Sequence, residues 1–175
     1  MSATTVFTLG HGTRPIEELV ETLREAAAAT LVDVRRFPGS RRNPQFGRDS
    51  LAAAVDGAGI AYRHEPELGG RRRGEPGEER FACIRVAAFR SYAARMALPE
   101  WQAALAAALE QPAPCFLCAE TAWQRCHRRL IAELLHARRL TVLHLLAPGR
   151  AEPHRPWDVA EIRDGRLYLC GEPVA

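Results

Sequence analysis

Val6-Phe7-Thr8-Leu9-Gly10-His11-Gly12-Thr13-Arg14-Pro15 is an apolar run closed by a Gly-x-Gly turn and a proline, and Ile16, Leu19, Val20 and Leu23 follow at helical spacing with glutamates between them. Proline suits the first turn of a helix, where its missing N–H is not needed. The stretch therefore reads as strand, loop, helix, and the same grammar returns downstream. Apolar runs at Thr30 to Val34, Ile60 to His64, Cys115 to Ala119 and Leu140 to Leu146 predict four more buried strands. Between them, helices are predicted from an Asp49 N-cap through Leu51, Ala54 and Val55, over 84–96, over 99–110, and around Leu130, Ile131, Leu134 and Leu135.

Strands alternating with helices imply a three-layer α/β/α sandwich around an open, mainly parallel five-stranded sheet. The expected strand order is 3-2-1-4-5, a Rossmann-like order that sets the loops after the first and fourth strands side by side at a switch point. Residues 148–158 are Pro-rich and read as a connector, and Asp164-Gly165 fits a two-residue turn between Val159 to Arg163 and Arg166 to Cys170. The expected organisation is one α/β domain over 1–147, with the connector and a C-terminal β-hairpin over 148–175 packed on it.

The chain has 175 residues, 47% hydrophobic and 26% charged, enough for one domain with its own core. No apolar run reaches membrane-spanning length, and the N-terminus has no basic segment followed by an apolar one, so a cytoplasmic protein without membrane association is expected. All 24 basic residues are Arg, which excludes a Schiff-base lysine and a Walker-type phosphate loop. Gly10-x-Gly12 lacks the third glycine of a dinucleotide fingerprint, so no Rossmann cofactor is expected and none of another kind is assigned. Five Cys without an export signal predict reduced thiols rather than a disulfide framework.

In such a sheet the loops leaving the strand C-termini share one edge. Here they carry Gly10 to Arg14, the stretch from Arg35 to Asn43, Glu67 to Arg73, and Cys118 to Arg129. The last, Cys118-Ala119-Glu120-Thr121-Ala122-Trp123-Gln124-Arg125-Cys126-His127-Arg128, is the densest concentration of reactive groups in the chain. A thiol between a strand end and a helix N-terminus, beside guanidinium groups, is favoured as thiolate. Cys118 is thus a candidate nucleophile or a structural thiol, and Glu120 a candidate acid/base or a group holding an Arg. His11, His127 and Asp33 are candidate proton-transfer or orienting groups. Arg14, Arg35, Arg41, Arg42, Asn43, Gln45 and Arg128 are candidate anion-binding residues, guanidinium forks matching phosphate geometry. Cys115 and Cys118 are a zinc-like half-site, but on one strand they face opposite sides, so no metal site is assigned, although Cys126, His127 and a distant His11 stay open. His64, His136, His144 and His154 have no evident partner and read as structural.

Gly10-His11-Gly12-Thr13-Arg14, Val32-Asp33-Val34-Arg35 with Pro38 and Ser40, Asn43-Pro44-Gln45-Phe46, Leu68-Gly69-Gly70, Phe89-Arg90-Ser91-Tyr92, and Cys118-Ala119-Glu120 followed by Cys126-His127-Arg128 occur in this order. Together they resemble the bacterial and archaeal family called domain of unknown function 488, over roughly residues 5–146. The resemblance implies a compact α/β domain with its signature residues on the loops above, and no settled activity. Members usually have Ser where this chain has Gly12, and the segment between Glu120 and Cys126 varies, so Arg125 is not carried over.

The leading expectation is an enzyme, a cysteine-dependent transferase or hydrolase, acting on a phosphorylated or nucleic-acid substrate at the Cys/Glu/His/Arg edge. The alternatives are a non-catalytic nucleic-acid-binding or regulatory module and a metal-dependent enzyme or sensor. The first predicts dependence on Cys118, and the second salt-sensitive binding through Arg41 and Arg42.

Overall fold

A computed structural model describes residues 4–39 and 41–174; Ser40 lies outside them. The chain runs β1 (Thr5–Gly10), α1 (Ile16–Glu25), β2 (Thr30–Asp33), α2 (Arg48–Asp56), β3 (Ala61–His64), α3 (Ala87–Arg95), α4 (Pro99–Leu109), β4 (Pro114–Cys118), α5 (Arg128–Ala137), β5 (Thr141–Ala147), β6 (Arg150–Pro153), β7 (Ala160–Arg163), β8 (Arg166–Leu169) and β9 (Glu172–Pro173). Short 3-10 turns interrupt the long loops.

Side chains alternate across the pleat, and this sorts the core into two layers. Phe7, Leu9, Leu31, Cys115 and Leu117 face Leu19 and Leu23 of α1 and Leu51 and Val55 of α2. Val6, Val32 and Phe116 face the opposite layer, built from α3, α4 and α5 with Tyr92, Trp101, Leu105, Leu130, Ile131 and Leu134. The architecture is the expected α/β sandwich. The α2 N-cap is Gly47, with Asp49 inside the first turn, where its carboxylate favours the positive end of the helix.

The sheet order is β3-β2-β4-β1-β5-β6. The expected order exchanged β1 and β4; the true one inserts β4 between β1 and β2, pairing Phe7 and Leu31 with Cys115 from either side. Local periodicity is the same for both orders, because both strands are buried on two faces. The adjacency of β1 and β4 survives. The sheet also has a sixth strand: β6, in the Pro-rich connector, pairs antiparallel with β5. It is short, half exposed and edge-lying, so it lacks the apolar run of a buried strand.

β7 and β8 form the expected hairpin, Asp164 and Gly165 taking φ of 50° and 75°, as a tight primed turn requires. β9 extends it to three strands, and Leu167, Leu169 and Val174 close the α5 side of the core. Not all thiols are reduced: Cys83 and Cys170 form a disulfide 87 residues apart in sequence, Cα–Cα 5.7 Å. It ties the C-terminal sheet to the segment before α3, a proximity that only tertiary packing creates. No helix among the described residues is long and apolar enough to cross a membrane.

Candidate functional site

The loops after β1 and β4 are stitched together beyond the strands. The His11 N–H donates to the Cys118 carbonyl at 2.9 Å and the Gly12 N–H to Ala119 at 3.0 Å. A side chain at Gly10 would collide with the Glu120 carbonyl, and Gly12, at φ +56°, abuts the Thr121 hydroxyl. The Gly-x-Gly turn is therefore a backbone requirement of two loops in contact. A third loop, Leu68-Gly69-Gly70, slides in from β3: a Cβ at Gly70 would sit 2.6 Å from His127 Nδ1, and one at Gly69 3.0 Å from the Arg36 backbone.

These loops enclose an open cavity of about 430 Å³ whose wall includes His11, Arg35, Arg36, Arg71, Cys118 and His127. Asn43, Glu120 and Thr121 stand on the same wall. Cys118 ends β4 on its half-buried side, while Cys115 points into the opposite core layer, as strand alternation requires.

Behind Cys118 lies Cys126, 4% exposed. His127 Nδ1 is 3.5 Å from Cys126 Sγ and 4.0 Å from Cys118 Sγ, and Arg128 Nε donates to Cys126 Sγ at 3.4 Å. The two sulfurs lie within 4.8 Å of each other, close enough for their titrations to be linked. The neighbouring Cys126 sulfur, reinforced by burial, holds Cys118 well above the ordinary thiol range. Burial alone would raise Cys126 too, but the Cys118 S–H, His127 and the Arg128 guanidinium carry it well below that range. Negative charge on the pair is therefore favoured at Cys126 over Cys118. Arg128, 1% exposed, is fixed by donating also to the Glu120 carbonyl and, at 3.4 Å, to Thr8 Oγ1.

Arg35 is held by a buried fork. Its Nε and Nη2 donate to the two oxygens of Asp33 at 2.8 and 2.6 Å, and Tyr62 donates to Asp33 Oδ2 at 2.7 Å. With its backbone N–H and the Phe46 carbonyl also engaged, Arg35 presents one fixed edge to the cavity. His11 completes that edge. Its Nδ1 is 2.8 Å from the Gly12 carbonyl, which can only accept, so Nδ1 carries the proton and Nε2 accepts from Arg35 Nη1 at 3.3 Å. Burial, with Arg35 alongside, lowers His11 to about 4, against the opposing Gly12 bond, and the ring is neutral. It stacks on Phe46 with centroids 4.3 Å apart.

Of the residues expected at the site, Cys118, Glu120, His127, His11, Arg35 and Asn43 reach the cavity wall. Asp33 is fully buried and saturated by Arg35 and Tyr62, so its geometry is that of an anchor. Arg128 lies beneath the thiols. Arg14 pairs with Glu18 at 3.3 Å and donates to the His11 carbonyl, and Gln45 donates to the Arg14 carbonyl at 3.4 Å. Arg41 and Arg42 are exposed outside the wall. Arg36 and Arg71 stand outside the expected set, and Cys126 is in it only as an open metal ligand; the loops from Arg35 to Asn43 and from Glu67 to Arg73 carry several arginines, and nothing local says which turn inward. Tyr92, from the Phe89-to-Tyr92 motif, supports His127 from below at 5.0 Å between rings and donates to the Leu68 carbonyl at 2.7 Å.

Cys118, Cys126 and His127 are the group of soft donors among the described residues close enough to share a metal, their ligand atoms lying within 4.8 Å of one another. Ideal tetrahedral zinc sets S and N ligands about 3.5 Å apart. Cys126–His127 matches at 3.5 Å, whereas Cys118–His127 is longer at 4.0 Å. The Arg128 guanidinium already supplies Cys126 with the positive charge a metal would bring. The set is better suited to free thiol chemistry.

No curated protein and no solved structure matches the chain. The family described as Domain of unknown function DUF488 matches residues 15–135, from the start of α1 to within α5 and so across every loop of the cavity except the Gly10-to-Arg14 turn. The match covers more than half of the chain: this protein belongs to the DUF488 family.

Proposed function

We propose that the protein is a cysteine-dependent transferase or hydrolase acting on a small phosphorylated substrate. The observation that carries this reading is a cavity-facing Cys118 thiol with the Cys126 sulfur and His127 within 4.8 Å of it, in a wall that also presents Arg35, Arg36 and Arg71. Arg35 is oriented by Asp33 and His11, so an anion entering meets a preset fork rather than a mobile side chain. Cys118 Sγ attacks the electrophilic centre as its proton passes to Cys126, and the bond to the leaving group breaks. Water then cleaves the Cys118–substrate bond, its proton taken by the rim carboxylate Glu120 and passed to the departed leaving group, and Cys118 recovers its own proton from Cys126. A cavity of about 430 Å³ suits a phosphorylated small molecule or a single nucleotide, not a duplex.

Peptide-resolved alkylation tests this directly. Cys118 is expected to alkylate far faster than Cys115, and inorganic phosphate is expected to protect it in the wild type but not in Arg36→Ala/Arg71→Ala. Turnover on a panel of phosphoesters should vanish in Cys118→Ser. Equal labelling of Cys115 and Cys118, unaffected by phosphate, rejects the reading. The alternative, a nucleic-acid-binding module, draws on the exposed Arg41 and Arg42 outside the cavity wall. It predicts salt-sensitive oligonucleotide binding that is indifferent to Cys118→Ser.

A further inference from the structure

We infer that Cys118 and Cys126 form a reversible redox couple, in which a hydroperoxide entering the arginine-lined cavity oxidises Cys118 and Cys126 closes the product to a disulfide. This rests on the reading of Cys118 as the reactive cavity-facing thiol, and adds an oxidative modification site to it.

The geometry separates two roles. Cys118 is half-buried on the cavity wall and open to a small oxidant. Cys126 is buried directly behind it, inaccessible to the oxidant yet with its sulfur within 4.8 Å of the one that would be oxidised. Their sulfurs lie within 4.8 Å, so reaching a disulfide bond length of about 2.05 Å asks for at most about 2.8 Å of closure. The intervening segment is a short turn at Trp123–Arg125 whose Trp123 ring stacks on His144 at 3.9 Å, keeping the two ends near each other. The remaining free thiol does not compete: Cys115 lies in the other core layer, and burial pushes it up to about 12. Gly70 adds to access, since any side chain there would press on His127 Nδ1 beside both sulfurs.

The steps balance. The Cys118 sulfur attacks one peroxide oxygen as it gives up its proton, the O–O bond breaks, and the departing oxygen takes that proton, leaving Cys118 sulfenic acid and one water (an alcohol, for an organic hydroperoxide). Cys126 thiolate then attacks the sulfenic sulfur, the S–O bond breaks, and hydroxide leaves and is protonated to water. Sulfur is oxidised and peroxide reduced; a thiol reductant restores both cysteines.

The test uses the full-length chain with Cys118 and Cys126 reduced, treated with hydrogen peroxide, blocked with an alkylating agent and peptide-mapped. The expected product is a Cys118–Cys126 linked peptide, lighter by two hydrogens and lost on reduction by dithiothreitol, with the Cys83–Cys170 link present both before and after peroxide treatment. In Cys126→Ser the same treatment should instead leave Cys118 sulfenic acid, captured by dimedone. Cys118 that alkylates readily but yields neither product overturns the inference and leaves the enzyme reading standing. Cys118 inert to both alkylation and peroxide overturns both. Retention of a stoichiometric metal that shields Cys118 and Cys126 also overturns it.

Discussion

Acidification from pH 8 to pH 5 is expected to remove about 4 kcal/mol of folding stability through two imidazoles alone, His11 and His144. Both are buried and neutral in the fold. His11 falls to about 4 through burial, with Arg35 and Arg128 adding to the fall and Asp33 and the Gly12 carbonyl resisting it. His144, in contact with Thr8 Oγ1 and His154 and stacked on Trp123, falls to about 3 through burial, then through His154 and Arg128, with Cys126 opposing. In the unfolded chain each titrates at the ordinary value of 6.5. Above 6.5 neither state binds the proton, and the stability these groups contribute is fully present. Below it the unfolded state binds two protons that the native state refuses, so stability falls with pH until it levels off near 4 for His11 and near 3 for His144. At pH 5 the loss is about 2 kcal/mol from each ring. Urea unfolding at pH 8 and pH 5 measures it, and His11→Gln isolates it, because the variant keeps a polar side chain and cannot ionise in this range. The pH-dependent loss should shrink by about 2 kcal/mol in the variant. An unchanged loss, or a His11 ring that titrates near 6.5 by NMR, refutes the assignment of a neutral His11 accepting from Arg35.

Two further outcomes follow from the same geometry. Gly70→Ala drives a methyl group to 2.6 Å from His127 Nδ1, so it should cost about 1–3 kcal/mol by thermal or chemical unfolding and slow peptide-resolved alkylation of Cys118 as the ring is pushed into the sulfurs. Asp33→Asn leaves Arg35 buried without its counter-charge, and should cost about 3–5 kcal/mol while weakening phosphate protection of Cys118, since the fork that faces the cavity is released.

Much of the layered fold is written in local pattern. The apolar run before Gly10, the spacing of Ile16, Leu19 and Leu23, and the Asp164-Gly165 turn each report a short-range rule, and each element forms within a residue or two of its expected place. The edge where the cavity-lining loops gather is legible too, because parallel strands send their C-terminal loops to one side regardless of their order.

What tertiary structure alone decided are relations between distant residues. Strand order is one: β1 and β4 are both apolar on two faces, and only packing chooses which lies beside β2. The Cys83–Cys170 bond, made across 87 residues, is another. The proton on the thiol pair is the most consequential. By sequence Cys118 and Cys126 are two similar thiols near arginines, and Cys118 is the candidate thiolate. In the fold, Arg128 and His127 converge on Cys126, so negative charge is favoured at the buried sulfur while the accessible Cys118 is held above the ordinary thiol range. Composition and periodicity determine which elements form and which edge gathers the reactive groups; where a proton or a guanidinium settles depends on distances of a few ångströms between loops that meet only after folding.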